Sequence, residues 1–418
     1  MSEQANNGCA DGFGVRLIGC DDDAILPIGM HDYAEALGCC MLVDKTMFIA
    51  DVLDCDASVV VCCRPEGFGK SMNLSMLRAF LERPAVGRAG QRLFADAQIW
   101  DADGGRYRDE HACYPVISLD FSGAARRGPA VASVVRDALS GECARWLALL
   151  EAPDLARDKV RHIERVARGA ASEDEVASVL GVLIGLLEMA CDEQVVLLVD
   201  GYDAAWSRRA SARDASDADP AGLFDRVLFD AIATARDSLR LTCLMGERPS
   251  PAEAALSSRS CSYCLSTPLS TWCDRWFGFS DAEVQALLNR AGREENLDDA
   301  REWLEGYRFG RVYCSSPARV IGFLDRGCTA PVRADLYGYA DCLSRVVAGW
   351  NLDRLSVLFD LLEAHGCAEV PLCLGTAEPD VSPDDGMWTA LYLSGFLTTD
   401  MTEEPEHGDR LRALRLPN

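Results

Sequence analysis

The sequence predicts an α/β fold in which a parallel sheet carries helices on both faces, followed by a mostly helical C-terminal region. Two observations carry this expectation. Short unbroken apolar runs, such as Ser58–Cys63 and Val195-Val196-Leu197-Leu198-Val199, have the composition of strands buried on both faces. Segments with apolar residues at helical spacing lie between such runs, and strands alternating with helices imply parallel pairing.

Residues 1–24 are polar, Gly-containing and acidic around Asp21-Asp22-Asp23, and read as a flexible tail. Residues 25–277 hold the sheet. Its first strand, 58–63, ends at Arg64-Pro65. A turn over Gly67–Ser71 then leads into a helix whose apolar residues Met72, Leu74, Met76, Leu77, Phe80 and Leu81 stop before Pro84. Val116-Ile117-Ser118-Leu119-Asp120 is a second strand, and helices are predicted over about 129–151 and 173–191. The second of these opens on Ser172-x-x-Glu175, a capping-box pattern. The run 195–200 is a third strand ending in an acid, 207–222 has loop composition, 223–238 reads as helix, and 240–245 is a fourth strand. Beyond 277 the strand signal fades, and 278–418 reads as a mostly helical lid and C-terminal domain opened by the N-cap Ser280.

Bulk properties exclude several classes. A net charge of −25 over 418 residues opposes broad adhesion to nucleic acid, and no direct nucleic-acid partner is expected. No uncharged apolar run is long enough to span a bilayer, and the N-terminus Met1-Ser2-Glu3-Gln4 lacks a signal pattern, so a cytoplasmic, membrane-free protein is expected. Many of the nineteen cysteines, including Cys62, Cys63 and Cys243, sit inside apolar runs where thiols act as small buried hydrophobes. Cys261-x-x-Cys264 with Cys273 lacks a fourth zinc ligand, so incidental thiols are the preferred reading.

The chemistry concentrates at Gly67-Phe68-Gly69-Lys70-Ser71, between a buried strand and a helix. This is the context of a P-loop, in which backbone N–H groups and a helix N-terminus cradle phosphates. Arg64, Gly67, Phe68, Gly69, Lys70, Ser71 and Met72 are the candidate nucleotide-binding residues, with Lys70 directed at the phosphates and Ser71 at Mg²⁺. The general pattern wants glycine at the position of Arg64. Asp200, at the end of the third strand, is the candidate partner acid for Mg²⁺; together with Lys70 it forms the candidate catalytic pair. Hydrolysis also needs a group that orients water, and the residue after Asp200 is Gly201, which has no side chain for that task. Asp203 and Glu247 are possible substitutes or solvated acids.

Several segments taken in order resemble the bacterial AAA-ATPase-like proteins. Leu26-Pro27-Ile28-Gly29 and Val43-Asp44-Lys45-Thr46 resemble the opening "LPIG…YVDKT"; Arg64-Pro65 to Ser71 resembles "RPRRFGKS"; Tyr114–Ser122 resembles "YPVIYLDFS"; Asp200-Gly201-Tyr202-Asp203 resembles "DEYD". Gly278-Phe279-Ser280 with Glu283-Val284, Gly306-Tyr307-Arg308-Phe309 with Val312-Tyr313, and Ser394-Gly395-Phe396-Leu397 resemble later family segments. The resemblance implies a P-loop NTPase fold binding ATP and Mg²⁺, and accounts for arginine at 64. Family members commonly carry a C-terminal PD-(D/E)XK nuclease; lysine is absent from the last 130 residues here, so no nuclease activity is expected. The chain departs from the family at Glu66 and Gly67, where two basic residues are usual, at Gly201, and at Met245–Ser250 in place of "TGVSRFS". The preferred reading is a nucleotide-dependent switch with weak or lost hydrolysis. The alternatives are an active ATPase with an atypical water-positioning residue and an interaction scaffold that no longer binds nucleotide. C-terminal aromatics such as Trp303, Trp388 and Tyr392 suit core packing better than a partner surface.

Overall fold

A computed structural model describes residues 14–19, 26–83, 91–125, 131–152, 155–204, 220–250, 256, 261–304, 306–329, 356–358, 361, 366–372, 374, 383–399 and 411–417. The segment read as a loop over 207–222 lies mostly outside the described residues.

In chain order, β1 (Leu17–Gly19), α1 (Tyr33–Cys39), β2 (Met41–Val43) and α2 (Met47–Leu53) precede the first sheet strand, β3 (Val59–Cys63). Then come α3 (Lys70–Leu81), α4 (Gln91–Phe94), α5 (Gln98–Asp101), β4 (Val116–Asp120), α6 (Val131–Trp146), α7 (Arg157–Ala167), α8 (Glu173–Cys191) and β5 (Val195–Asp200). They are followed by α9 (Pro220–Thr234), β6 (Leu239–Gly246), β7 (Tyr263–Ser266), α10 (Asp281–Arg290), α11 (Leu297–Leu304), β8 (Tyr307–Phe309), β9 (Val312–Cys314) and α12 (Pro317–Asp325). The C-terminal elements are β10 (Ala368–Pro371), α13 (Pro383–Leu393), β11 (Thr398–Thr399) and β12 (Leu411–Arg415).

The main sheet has the order β4-β5-β6-β3-β7, and every pairing in it is parallel. Alternate residues of each strand face opposite helical layers, as the two-residue period of a strand requires. Val59, Val61, Ile117, Leu119, Leu197 and Val199 join one core with α6 to α9, while Val60, Cys62, Val196, Leu198 and Cys243 join another with α1 to α5. The expected three-layer arrangement is therefore present. Its β4 edge is closed by side chains of α6: Ser118 N–H donates to Glu142 Oε1 at 3.2 Å, and Arg145 donates to the Val116 carbonyl.

Three expectations need correction. Leu17–Gly19, within the segment read as a tail, is a strand paired antiparallel with β2, because Ile18 is an apolar residue buried in the core around α1. Tyr263–Ser266 is a fifth parallel strand, so Cys264 belongs to a sheet edge. The region beyond 277 contains an antiparallel hairpin, β8 and β9, and a small antiparallel sheet β10-β12-β11 packed with α13, besides its helices. Cys261 packs in one core and Cys273 in the other, so these thiols do not converge; no set of three His, Cys, Asp or Glu side chains that could hold a metal ion occurs among the described residues.

The N-terminal segment is tied to α10 by one ion pair. Lys45 Nζ lies 2.6 and 2.8 Å from the Glu283 carboxylate oxygens and 2.9 Å from the Arg275 carbonyl. Glu283 also completes the capping box of α10, accepting from Ser280 N–H at 2.7 Å. Both side chains are about nine-tenths buried, at 11% and 13% exposure. Glu283→Ala is therefore expected to cost roughly 2–4 kcal/mol, from a stranded ammonium and a lost cap. Lys45→Met/Glu283→Gln should cost less, since it strands no charge. Urea unfolding of both variants checks this, and a double variant less stable than the single would contradict it.

Candidate phosphate-binding site

The site lies at the carboxyl ends of β3, β5 and β6, where parallel α/β sheets place ligands. Residue 64 continues β3, its N–H donating to the Gly246 carbonyl at 3.0 Å. The chain then turns through Gly67 (φ 82°) and Gly69 (φ 78°), both in the left-handed region that glycine tolerates, and enters α3 at Lys70. Gly69 caps α3, so the first turn of the helix faces the loop. Glu66 at the outer turn is exposed.

Lys70 Nζ crosses back over the loop and donates to the carbonyls of Arg64 and Pro65, both at 2.8 Å. Ser71 Oγ donates to Asp200 Oδ2 at 2.5 Å, which joins α3 to β5 across the intervening strand β6. The ammonium, the hydroxyl and the acid are thus assembled at one place, as their types suggested. Burial pushes the Asp200 carboxyl above the usual aspartate range, and the neighbouring Asp120 adds to the rise, while the Ser71 hydroxyl and Lys70 oppose it. Asp120 is the register partner of Asp200. Its place in the site was not anticipated, because strand pairing alone brings it there.

Four other candidates have roles different from side-chain contact with a ligand. Arg64 is fully buried, and its guanidinium donates to the carbonyls of Cys63 (2.8 Å), Ser266 (2.9 Å) and Cys273 (3.3 Å) and to Ser266 Oγ (2.9 Å). It lies 4.8 Å from the centroid of Phe277 and 5.2 Å from that of Phe309. The expectation that its side chain meets nucleotide is therefore corrected: backbone acceptors at the ends of β3 and β7 require a planar donor beneath the loop, and arginine supplies one. Phe68 is buried against Tyr307 and Phe309, with ring centroids 4.9 and 4.7 Å away. Met72 packs against the core. The Gly67 carbonyl accepts from Ser316 Oγ at 3.1 Å and from Ala318 N–H at 3.2 Å, so the start of α12 sits on the loop.

Gly201 has φ 66°, and a Cβ built there would lie 2.5 Å from Ser122 N and 2.7 Å from Ser122 Cα. Backbone of the β4–α6 connection fills the space a side chain would need. Asp203, read as a possible water-positioning or solvated acid, is 3% exposed and accepts from the N–H groups of Glu247 (3.3 Å) and Arg248 (3.1 Å). Burial, with Glu247 nearby, raises its pKa. Tyr202 is buried and donates to the Arg248 carbonyl at 2.9 Å. Residues 202 and 203 thus shape the turn beyond β6. Arg248 in that turn borders a cleft of about 150 Å³ against α13, shared with Thr389 and Leu393.

No helix among the described residues is long and apolar enough to cross a membrane. No curated protein matches the chain. A family model described as "Predicted AAA-ATPase" matches residues 27–249, more than half the chain and including β3 to β6. The chain belongs to the AAA-ATPase-like family.

Proposed function

We propose that this protein binds a nucleoside triphosphate, ATP in the first instance, together with Mg²⁺, and acts as a nucleotide-dependent switch with weak or lost hydrolysis. The observation that carries the reading is the Ser71–Asp200 hydrogen bond beside Lys70 at the mouth of a strand–loop–helix turn. A hydroxyl and a carboxylate are hard oxygen donors that suit Mg²⁺, which keeps part of its water shell. Ser71 and Asp200 would hold the metal, with Asp120 close enough to add charge, and Mg²⁺ would neutralise phosphate charge. Lys70 would exchange its loop carbonyls for phosphate oxygens, and Gly67 and Gly69 would let loop N–H groups approach them. The Ser316 and Ala318 contacts to Gly67 supply a route by which a change in loop shape would move the C-terminal part. A cytoplasmic setting is part of the proposal and suits the free thiols found at every described cysteine.

Isothermal titration with Mg²⁺-ATP tests binding. Heat of binding is expected for the wild type and at least about tenfold weaker affinity for Lys70→Ala, a charge-assisted contact being worth about 1.5 kcal/mol or more. Equal affinity for both proteins, or no binding by either, would leave the interaction-scaffold reading.

Restoring the missing acid is not expected to restore hydrolysis. Gly201→Glu needs a side chain at positive φ against the Ser122 backbone, so a loss of roughly 1–3 kcal/mol is expected with no gain in phosphate release. A Gly201→Glu protein that melts like the wild type and releases phosphate faster would refute this account.

The raised pKa of Asp200 sets a pH dependence. In the metal-free protein the group contributes stability that is fully present below the usual aspartate pKa and is lost as pH rises through its higher folded value. Mg²⁺ requires the carboxylate, so Mg²⁺-nucleotide affinity runs the other way and weakens on acidification across that window. Thermal melts without metal and titrations with Mg²⁺-ATP at several pH values should show opposite slopes. Asp200→Asn should flatten the first slope; an unaltered profile would exclude Asp200 as its source.

A further inference from the structure

Three sulfur atoms meet at the end of α1, and neither the core nor the phosphate site requires them there. Cys39 is the last residue of α1, and Cys40 caps the helix. Cys40 Sγ lies 3.6 Å from Cys39 Sγ and 3.5 Å from Met30 Sδ. Met30 stands before the helix, in a turn closed by its own N–H donating to the Pro27 carbonyl at 3.4 Å. Cys40 is fully buried, whereas Cys39 and Met30 are partly exposed and open to a small ion. Hydrophobic packing accounts for a thiol at 40. It does not account for two half-exposed sulfurs drawn up against it.

A disulfide is a poor use of the pair. Neighbouring Cα atoms are about 3.8 Å apart, below the separation of about 4.4 Å or more that disulfides usually adopt. Metal geometry fits better. Three sulfurs around one trigonal ion, with metal–sulfur bonds of about 2.3 Å, stand about 4 Å from one another. The two sulfur contacts at Cys40 need to open by only about half an ångström to reach that spacing. The donor set also selects the ion. Zinc in a structural site wants four ligands, with thiolate or imidazole the usual donors. Among the described residues no third thiol, imidazole or carboxylate stands with Cys39 and Cys40 to hold a metal, and the third donor is a thioether. Two thiols and a thioether are soft ligands, which favour Cu(I).

We propose that Met30, Cys39 and Cys40 form a binding site for a soft monovalent cation, Cu(I). The ion takes one electron pair from each sulfur. Both thiols give up their protons to solvent, and the metal keeps its oxidation state. Cys39 Sγ now donates weakly to the carbonyls of Glu35 at 3.3 Å and Ala36 at 3.9 Å, and these two contacts are given up on binding. The site is separate in sequence from the phosphate loop but is joined to the helix that leaves it. Tyr33 N–H, in the first turn of α1, donates to Ser75 Oγ of α3 at 2.9 Å, and Ser75 Oγ donates to Asp32 Oδ2 at 3.3 Å. A metal ion tying the Met30 turn to the far end of α1 would therefore steady α1 on α3.

The test is anaerobic titration of the reduced full-length protein with Cu(I), in competition with a coloured Cu(I) chelator such as bathocuproine disulfonate. The wild type should withdraw copper from the chelator, and its melting temperature should rise as it does so. Cys39→Ala and Met30→Leu change partly exposed side chains and should melt like the metal-free wild type. Each should weaken the tightest site by at least about tenfold, since even the partners of metal ligands are worth that much. Cys55→Ser should keep the wild-type affinity. Uptake should weaken on acidification, because protons compete for both thiolates. In protein grown with selenomethionine, X-ray absorption at the copper edge should show a selenium neighbour that Met30→Leu removes. Failure to withdraw copper would overturn the proposal. So would a tightest site unaltered in both variants, or bound copper with no selenium neighbour.

Discussion

The buried guanidinium of Arg64 is the constraint around which the loop at the carboxyl end of β3 is arranged. It receives no solvent, and its acceptors are three carbonyls and a hydroxyl. A charge in that position must be met by several dipoles and aromatic faces together, and these come from four separate parts of the chain. Cys63 belongs to β3, Ser266 to β7, Cys273 and Phe277 to the connection that follows, and Phe309 to β8. Lysine could not span the same set, because its donors do not lie in a planar fork. The residue that departs from the general P-loop pattern is therefore what locks the start of the loop to the sheet edge and to the C-terminal hairpin.

The hairpin's role follows from the same cluster. Phe309 faces the guanidinium and also contacts Phe68 in the loop, whose ring packs on Tyr307 as well. A Cβ at Gly395 would approach Pro65 Cβ to 2.8 Å, so the segment after α13 lies directly on the loop. Ser316 and Ala318 hold Gly67 from the start of α12. The loop is thereby contacted by the hairpin, α12 and the residue-395 turn. The segments that carry the family resemblance outside the loop are largely the ones making these contacts or, like Lys45 and Glu283, holding their supports in place.

Much of the sheet is legible in the sequence because its strands are buried on both faces. The expected 116–120 and 195–200 coincide with β4 and β5, while β3 starts one residue later than expected and β6 extends one residue further at each end. A strand half-covered at the edge leaves less trace. Tyr263, Cys264 and Leu265 are only partly buried, and the run is four residues long, so its cysteine spacing was the more visible feature. The α7 helix was missed for a related reason: only Ile163 and Val166 of its eleven residues are buried, and charged residues fill most of the rest. In the site, residue type and order located Lys70, Ser71 and Asp200, because strand–loop–helix geometry makes their convergence nearly obligatory. Side-chain direction is a different matter. Whether Arg64 turns toward a ligand or into the core depends on Ser266 and Phe309, which are distant in sequence.

The change at residue 201 is likewise a property of the packing and not of one position. Asp200 contributes its carboxylate to Ser71 while its carbonyl accepts from Phe121 N–H at 2.8 Å, and Asp120 accepts from Ser122 N–H at 2.8 Å. These bonds draw the chain after β4 across the end of β5. Glycine at 201, with positive φ and no Cβ, allows that crossing, and the Ser122 backbone then occupies the volume a glutamate would enter. Tyr202 and Asp203, the other two residues of the same short segment, are committed to the turn beyond β6. On the proposed reading, the carboxylate next to Ser71 would hold the metal while neither of these neighbours is free to orient water. On the reading proposed above, phosphate- and metal-holding groups beside a segment with no room for a water-orienting acid at 201 would suit a protein that reads nucleotide occupancy more than it turns nucleotide over.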